Sequence, residues 1–303
     1  MADCWAYPVH PYQFSGRGGG SKAAVTSPYP KDGTLPANEF RQVKRVTLLV
    51  DSRDRDYTKY PSPSQYVVNL SESLHNVSNG VLISAELPAT YYVFSEVMRN
   101  TSLTVSINNV VKTVTIPDGN YGFGTMATEL EAVLSAAFPA NTFGVVFKSA
   151  TGKCSITALP TPSQFSVDCT AASKPTGWGL GYYLGFPRGV VTSAVGNIVT
   201  ALAMANMNPE MYMLIDIDEL NAVNQAAMYA GGPQSKVFAK VPMCQPTFQY
   251  TFYDKTLTCN EVRPPRSKID KLTVSIRFHD GTPVDFHGAE HSLTLELTCT
   301  LTR

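Results

Sequence analysis

The chain of 303 residues balances 24 Lys and Arg against 24 Asp and Glu, so its formal net charge is zero, and only 16% of its residues are charged. That balance excludes a dominant polyanion-binding surface, and with it nucleic acid as the main partner; no run of about 18 apolar residues occurs, so no helical membrane span is expected. The 15 Tyr and 14 Phe, with frequent Thr, Val, Pro and Gly, favour strands and turns over helices, and so sparsely charged an exterior suits a protein that buries surface against neighbours.

Residues 1–42 are rich in Tyr, Pro, Gly and Ser and show little periodicity. The opening Met1–Tyr7 has no basic stretch followed by an apolar run, so it is not read as a signal peptide. Ser15-Gly-Arg-Gly-Gly-Gly-Ser-Lys22 is a flexible linker by composition and lacks the Gly-Lys-Ser/Thr ending of a phosphate loop. The segment reads either as a disordered arm or as an arm that orders on a neighbouring subunit. In the second case Tyr7, Tyr12, Phe14 and Tyr29 are its contact residues.

Arg45–Val50 reads as the first strand, followed by the mixed-charge Asp51-Ser-Arg-Asp-Arg-Asp-Tyr57. Asp51, Asp54 and Asp56 do not have the spacing of an EF-hand loop, which needs a Gly at its sixth position and a Glu at its twelfth, so local salt bridging is expected there. Prolines at 61 and 63 force an extended path into a second strand at Tyr66–Leu70, and Val81–Pro88 is a third, stopped by its proline. The texture changes at Leu103. Leu103–Ile107 and Val110–Ile116 form a hairpin about Asn108-Asn109. Thr125 caps a helix whose Met126, Leu130, Val133, Leu134 and Phe138 lie on one face, and Pro139 ends it. Phe143–Phe147, Lys153–Ala158 and Phe165–Asp168 are short strands. The block 101–187 is thus a small α+β insertion in an otherwise all-β chain.

Beyond it, Thr192–Leu202 alternates weakly, Met211–Ile217 is a buried strand, and the polar 221–232 reads as a loop. Val237–Val241 and Thr247–Phe252 are strands, the latter rich in aromatics, and Arg263-Pro-Pro-Arg266 is a connector. The last thirty residues alternate most clearly. Leu272, Val274, Ile276 and Phe278, then Leu293, Leu295, Leu297, Cys299 and Leu301, recur every second position, which puts one apolar set on one face of each strand. These two strands read as a terminal hairpin whose greasy face needs a second sheet. The expected fold is therefore a single jelly-roll-like β-sandwich formed by 43–100 and 188–303, interrupted by the insertion and preceded by the arm.

Chemistry is sparse. None of the six cysteines, Cys4, Cys154, Cys169, Cys244, Cys259 and Cys299, stands in a C-x-x-C pair, so no structural zinc motif exists, and the spacing suits buried free thiols. His287-Gly-Ala-Glu-His291 matches H-x-x-E-H, but that pattern binds zinc only on a helix, where both histidines share a face. In extended chain the two lie roughly 13 Å apart. A metal-dependent hydrolase using His287, Glu290 and His291 is set against this bland reading, a solvated loop turning at Asp280-Gly281. Asp216 and Asp218 share a face at strand spacing and read as a wet rim rather than an acid–base pair. The glycines of 176–181 lack the strand–helix setting of a nucleotide fingerprint. Trp178, Tyr182 and Tyr183 beside them would suit sugar stacking if exposed. No cofactor is expected.

Several segments in one order carry a resemblance: Asp51–Asp56 with Tyr60-Pro-Ser-Pro-Ser-Gln-Tyr-Val-Val-Asn-Leu70, Val81–Pro88, and Gly119-Asn-Tyr121 through Leu184-Gly-Phe186. Met211–Leu220 with Val237-Phe-Ala-Lys-Val-Pro242, and Asp280-Gly281 through Asp285-Phe-His-Gly-Ala-Glu-His-Ser-Leu293, complete it. Over roughly 43–303 the chain resembles virion structural proteins of large nucleo-cytoplasmic DNA viruses, of the minor capsid or penton kind. The resemblance implies a non-enzymatic component of an icosahedral shell, assembled in the host cytoplasm. Its partners would be the double-jelly-roll major capsid protein and other minor capsid proteins, and a penton would be a homopentamer of single jelly rolls. Asp280, Asp285, His287 and Trp178 join the arm residues as expected subunit contacts. The alternative is a carbohydrate-binding, host-attachment module on the virion.

Overall fold

The computed structural model describes residues 43–170, 178–193, 197–208, 210–220, 225–227, 234–243, 248–254 and 259–300. In chain order its elements are β1 (Val43–Asp51), β2 (Gln65–Pro88), β3 (Ser102–Ile107), β4 (Val110–Thr115), α1 (Phe123–Ala137), β5 (Thr142–Phe147), β6 (Cys154–Leu159), β7 (Phe165–Asp168) and α2 (Gly179–Tyr183). There follow β8 (Val190–Thr192), β9 (Ile198–Thr200), β10 (Tyr212–Ile217), β11 (Gln225–Ala227), β12 (Gln234–Lys236), β13 (Ala239–Pro242), β14 (Tyr250–Tyr253), β15 (Cys259–Arg277) and β16 (Ser292–Thr300). Strand outweighs helix, 49% to 11%, in curled antiparallel sheets, which is the all-β class expected from the sequence.

The main sheet runs β1-β16-β2-β15-β10-β13, with β14 also paired to β2. Two long strands, β2 and β15, make it fold over itself. Tyr66–Leu70 and Val81–Pro88 are therefore not a second and a third strand, as read from the sequence, but the two ends of one strand of 24 residues. β2 pairs with β15 from Gln65↔Ser275 to Val81↔Cys259, and on its other edge with β16 from Val77↔Cys299 to Glu86↔Ser292. Just before the β16 ladder begins, Asn76 takes a left-handed φ of 52°. The β15 ladder slips between Glu261 and Arg266 and again between Ile269 and Lys271. Slips of this kind let a strand leave one layer and enter the other. The expected Arg263–Arg266 connector is thus the bent middle of β15: Pro264 and Pro265 fall where the ladder is already broken, the place a strand tolerates them. The terminal strands also hold a different place from the one expected. Both alternate as read, but β2 lies between β15 and β16, so they are not a hairpin.

One buried cluster joins the layers, with Leu293, Leu295, Leu297 and Cys299 from β16, Leu272, Val274 and Ile276 from β15, and Met213, Ile215 and Ile217 from β10. Gly80 marks the closest approach. A Cβ there would stand 3.2 Å from Leu297 and 3.3 Å from both Leu220 and Phe238, side chains that reach it from the β16 side and from the β10–β13 end. Asp216 of β10 is buried rather than on a wet rim, because Arg277 of β15 donates to it across the sheet at 2.5 Å. Burial holds its carboxyl above the usual range against the pull of Arg277.

A second buried cluster runs from Val93 to Ala201. It is enclosed by the sheet β4-β3-β7-β8, the sheet β5-β6-β9 and α1. The helix buries Met126, Leu130 and Leu134, as its spacing predicts. Its cap is Gly122 rather than Thr125: the Thr125 hydroxyl sits in the first turn and accepts the Gly122 N–H at 2.9 Å. The glycines before Tyr182 open α2, with Gly179 at a left-handed φ of 68°. Of the expected 221–232 loop, Gln225–Ala227 is strand β11 paired with β12, and the rest lies outside the described residues. Cys154, Cys169 and Cys299 are buried free thiols, and burial pushes Cys154 up to about 12 and Cys169 to about 11. Cys4 and Cys244 lie outside the described residues.

Replacing Gly80 by Leu is expected to lower stability by about 1–3 kcal/mol through overpacking between the layers. Chemical denaturation checks it, with an equally sized substitution on the exposed face of β4 as the control; an unchanged midpoint would show that the two layers do not press together at Gly80.

Candidate subunit-contact site

At one end of the sandwich, two chain segments far apart in sequence are tied together by one carboxylate. Glu290, just before β16, accepts the Ser52 hydroxyl at 2.5 Å and the Arg55 guanidinium at 2.5 Å on one oxygen, and the Tyr57 hydroxyl at 3.1 Å on the other. Arg55 is 5% exposed; it also donates to the carbonyls of Ser52 at 2.7 Å and Tyr60 at 3.0 Å, and it lies 4.1 Å over the Tyr57 ring. Burial would raise the Glu290 carboxyl, yet the bonds from Ser52, Arg55 and Tyr57 hold it below the usual range. The local salt bridging expected of 51–57 is present between Arg53 and Asp51 at 2.5 Å. Arg55 instead reaches a partner 235 residues away, which no local reading shows.

His291 completes the corner. Its backbone exchanges bonds with Ser52, and its Nε2 donates to the Pro63 carbonyl at 2.9 Å, the tautomer that such an acceptor selects. Its Nδ1 and the Tyr66 hydroxyl are buried without hydrogen-bond partners, the two rings 5.5 Å apart. Burial drives the imidazole down to about 4.

The turn 280–290 is pinned from within. Asp280 accepts the Thr282 N–H at 3.0 Å and Gly281 takes a φ of 88°, the turn expected there. Val284 and Phe286 plug into the main core. Alternating with them, Asp285 and His287 are left at the surface. Asp285 accepts the His287 N–H at 2.8 Å, and the His287 ring lies 4.1 Å from that of Tyr92, with Nδ1 3.0 Å from the Thr90 carbonyl. The two histidines of H-x-x-E-H are therefore committed to different backbones, at Thr90 and Pro63, and the glutamate between them to Arg55. Among the described residues no group of three His, Cys, Asp or Glu is placed to hold a metal.

Asp280, Asp285 and His287 thus share one loop. Trp178 does not join them: it packs on the second cluster, donates its indole N–H to the Phe186 carbonyl at 2.9 Å, and meets Tyr182 edge-on at 5.1 Å. Of the three rings expected to be free for sugar, only Tyr182 is exposed, while Tyr183 is largely buried and pushed up to about 12. Tyr7, Tyr12, Phe14 and Tyr29 lie outside the described residues.

A surface that sequence reasoning missed is β14. Its Tyr250 and Phe252 point outward, Phe252 with 74% exposure, while Thr251 points in; Phe248 just before it is 67% exposed. The Tyr250 hydroxyl donates to the Glu290 carbonyl at 3.3 Å, which sets this aromatic row beside the corner.

These features belong to a chain similar to penton-type capsid proteins. Over 96 residues it is 27% identical to penton capsid protein P1 of Paramecium bursaria Chlorella virus 1, covering 30% of this chain and 55% of that protein. The chain thus spans about half the length of the curated relative it matches. Residues 37–177 match the model of a family of unknown function, DUF5901. The crystal structure of the mavirus penton protein superposes on 86% of this chain and 100% of its own, with a TM-score of 0.47 and 9% identity. The resemblance read from the residue segments, to penton-type minor capsid proteins of large DNA viruses, is the same one.

Two outcomes test the corner. Glu290→Ala strands the buried Arg55 charge and is expected to cost about 3–5 kcal/mol, read by chemical denaturation. The second concerns pH. His291 has a folded pKa of about 4 against an ordinary value of 6.5, so the unfolded chain takes up a proton that the folded one refuses. Stability should therefore be full above about 6.5 and fall as pH drops toward 4, by up to about 3 kcal/mol. The slope should flatten in His291→Gln; an equal slope in both proteins would remove His291 as its source.

Proposed function

We propose that this chain is a non-enzymatic structural component of an icosahedral virus capsid, a penton or another minor capsid protein, that binds neighbouring capsid subunits. The observation that carries the reading is the similarity to a penton capsid protein. An end of the sandwich with a pinned loop and an exposed aromatic row beside it supports it. The proposed partners are the major capsid protein and other minor capsid proteins, with a homopentamer as the penton assembly. The proposed location is the virion, assembled in the host cytoplasm.

The chain would divide its work among a 1–42 arm that ties subunits, a jelly-roll-like body of 43–100 and 188–303, and the 101–187 insertion. A second cluster spanning Val93 to Ala201 supports treating the insertion as a unit with its own core, wider than 101–187 by eight residues at one end and fourteen at the other. Asp280, Asp285 and His287, on one loop, are the proposed contacts of the body, with Trp178 on the insertion and Tyr7, Tyr12, Phe14 and Tyr29 on the arm. The carbohydrate-binding alternative has less support, since Trp178 has spent its ring N–H within the chain.

Composition and position in purified particles test the reading. Five copies of this chain around a vertex are expected for a penton, and its absence from virions overturns the capsid role. Deleting 1–42 should leave a folded protein that assembles poorly; an unchanged assembly yield counts against the arm.

A further inference from the structure

Among the described residues the main sheet does not close. Among the described residues β1 has one strand neighbour, β16, and the first half of β2 also has one, β15; β16 reaches only as far as Val77 of β2. The unpaired edges of β1 and of residues 66–74 face each other across a groove of about 920 Å³. Its walls include Val46 and Leu48 from β1 and Val68 and Leu70 from β2. These four belong to the inward faces of their strands and pack on the main core, yet they are only partly buried. Among the described residues the slot is bordered on both sides by backbone without a partner strand, which is the site that an added strand fills.

We propose that this slot receives the first fourteen residues of a neighbouring copy of the chain, laid in as an extended strand. The inference rests on the reading of the arm as a tie between subunits and names its receptor. Forty-two residues precede β1, and they enter it at Val43, beside the slot. Trp5, Tyr7 and Val9 recur at every second position, the spacing that faces one side of a strand toward Val46, Leu48, Val68 and Leu70. Residues 15–42, with their glycine-rich start, can span up to about 90 Å when extended, enough to leave one subunit and reach another. Pro8 and Pro11 withhold two N–H groups, so side chains supply the larger part of the hold.

Cysteine cross-linking of the full-length chain tests this. In such a strand Cys4 faces outward, as Asn69 and Ser71 do on β2. Asn69→Cys and Ser71→Cys are oxidised in assembled material made from isotopically labelled and unlabelled chains. A disulfide from Cys4 to one of these positions, joining chains of different label, is the expected result, with none to Val111→Cys on exposed β4. Same-label links only, or no link to Cys4, overturn the proposal. Leu70→Asp, at a partly exposed wall position, should cut assembly yield about tenfold at a temperature where circular dichroism shows the variant and the parent both folded. If deletion of 1–42 impairs assembly and Leu70→Asp does not, the slot is not the receptor although the arm still ties subunits; if neither does, both readings fall.

Discussion

The fold depends on one strand serving two layers. β2 pairs with β15 from Gln65 to Val81 and, once past the turn of the backbone at Asn76, takes β16 on its other edge and then β14 toward its end. Antiparallel ladders fix register strictly when one face must be buried, since a slip by one residue exchanges the faces. Here the constraint applies twice along a single backbone. Leu74 and Val77 are both buried although they stand three positions apart, an odd spacing that would put them on opposite faces of a regular strand, so the inward parity changes across the bend. The positive φ of Asn76, a residue type that tolerates it, is the local device that permits the change. Gly80 follows where the side chains of Leu297, Leu220 and Phe238 close in and a Cβ would meet them at 3.2–3.3 Å.

The corner around Glu290 does a different task. A sandwich built on β2 and β15 holds its middle firmly, but its ends depend on loops. Ser52, Arg55, Tyr57 and His291 bind the exit of β1 to the entry of β16, which are already neighbours in the sheet at Asp51↔Ser292. The cluster closes the polar groups of both loops on one another. Asp285, His287 and the aromatic row of β14 remain at the surface beside it. A buried charge pair of this sort contributes little net stability but penalises alternative arrangements of the loops. A site that must present a fixed surface to neighbours gains from that.

Much of the strand content was legible because burial and period coincide. β16 alternates without exception, and its apolar positions are the buried ones. α1 declared its inner face in the same way. The sequence misled where long-range pairing overrode local preference. By local pattern residues 71–80 fall between two separate strands, yet their ladder partners lie some 180 to 220 positions downstream. In β14 the rule inverted: as a short strand bonded only to β2, it turned Thr251 inward and left two aromatic residues in water. No period within four residues distinguishes that arrangement from its mirror. Of the site, the loop 280–290 was visible as a polar turn, but Arg55 and Glu290 are 235 positions apart and nothing in either neighbourhood marks them as partners.

The continuity of β2 has a mechanical side. In a sandwich whose layers are separate sheets, a sideways load on one face reaches the other through side-chain contacts, which slide and repack. Here the same peptide backbone runs through both, and β15 accompanies it across the bend. A lateral load therefore arrives at the second layer along covalent bonds and as shear on antiparallel ladders, where many hydrogen bonds must break together. The two layers cannot glide past each other without unzipping the central strand, and the sandwich behaves as a folded sheet with a stiff crease rather than as two plates held by grease.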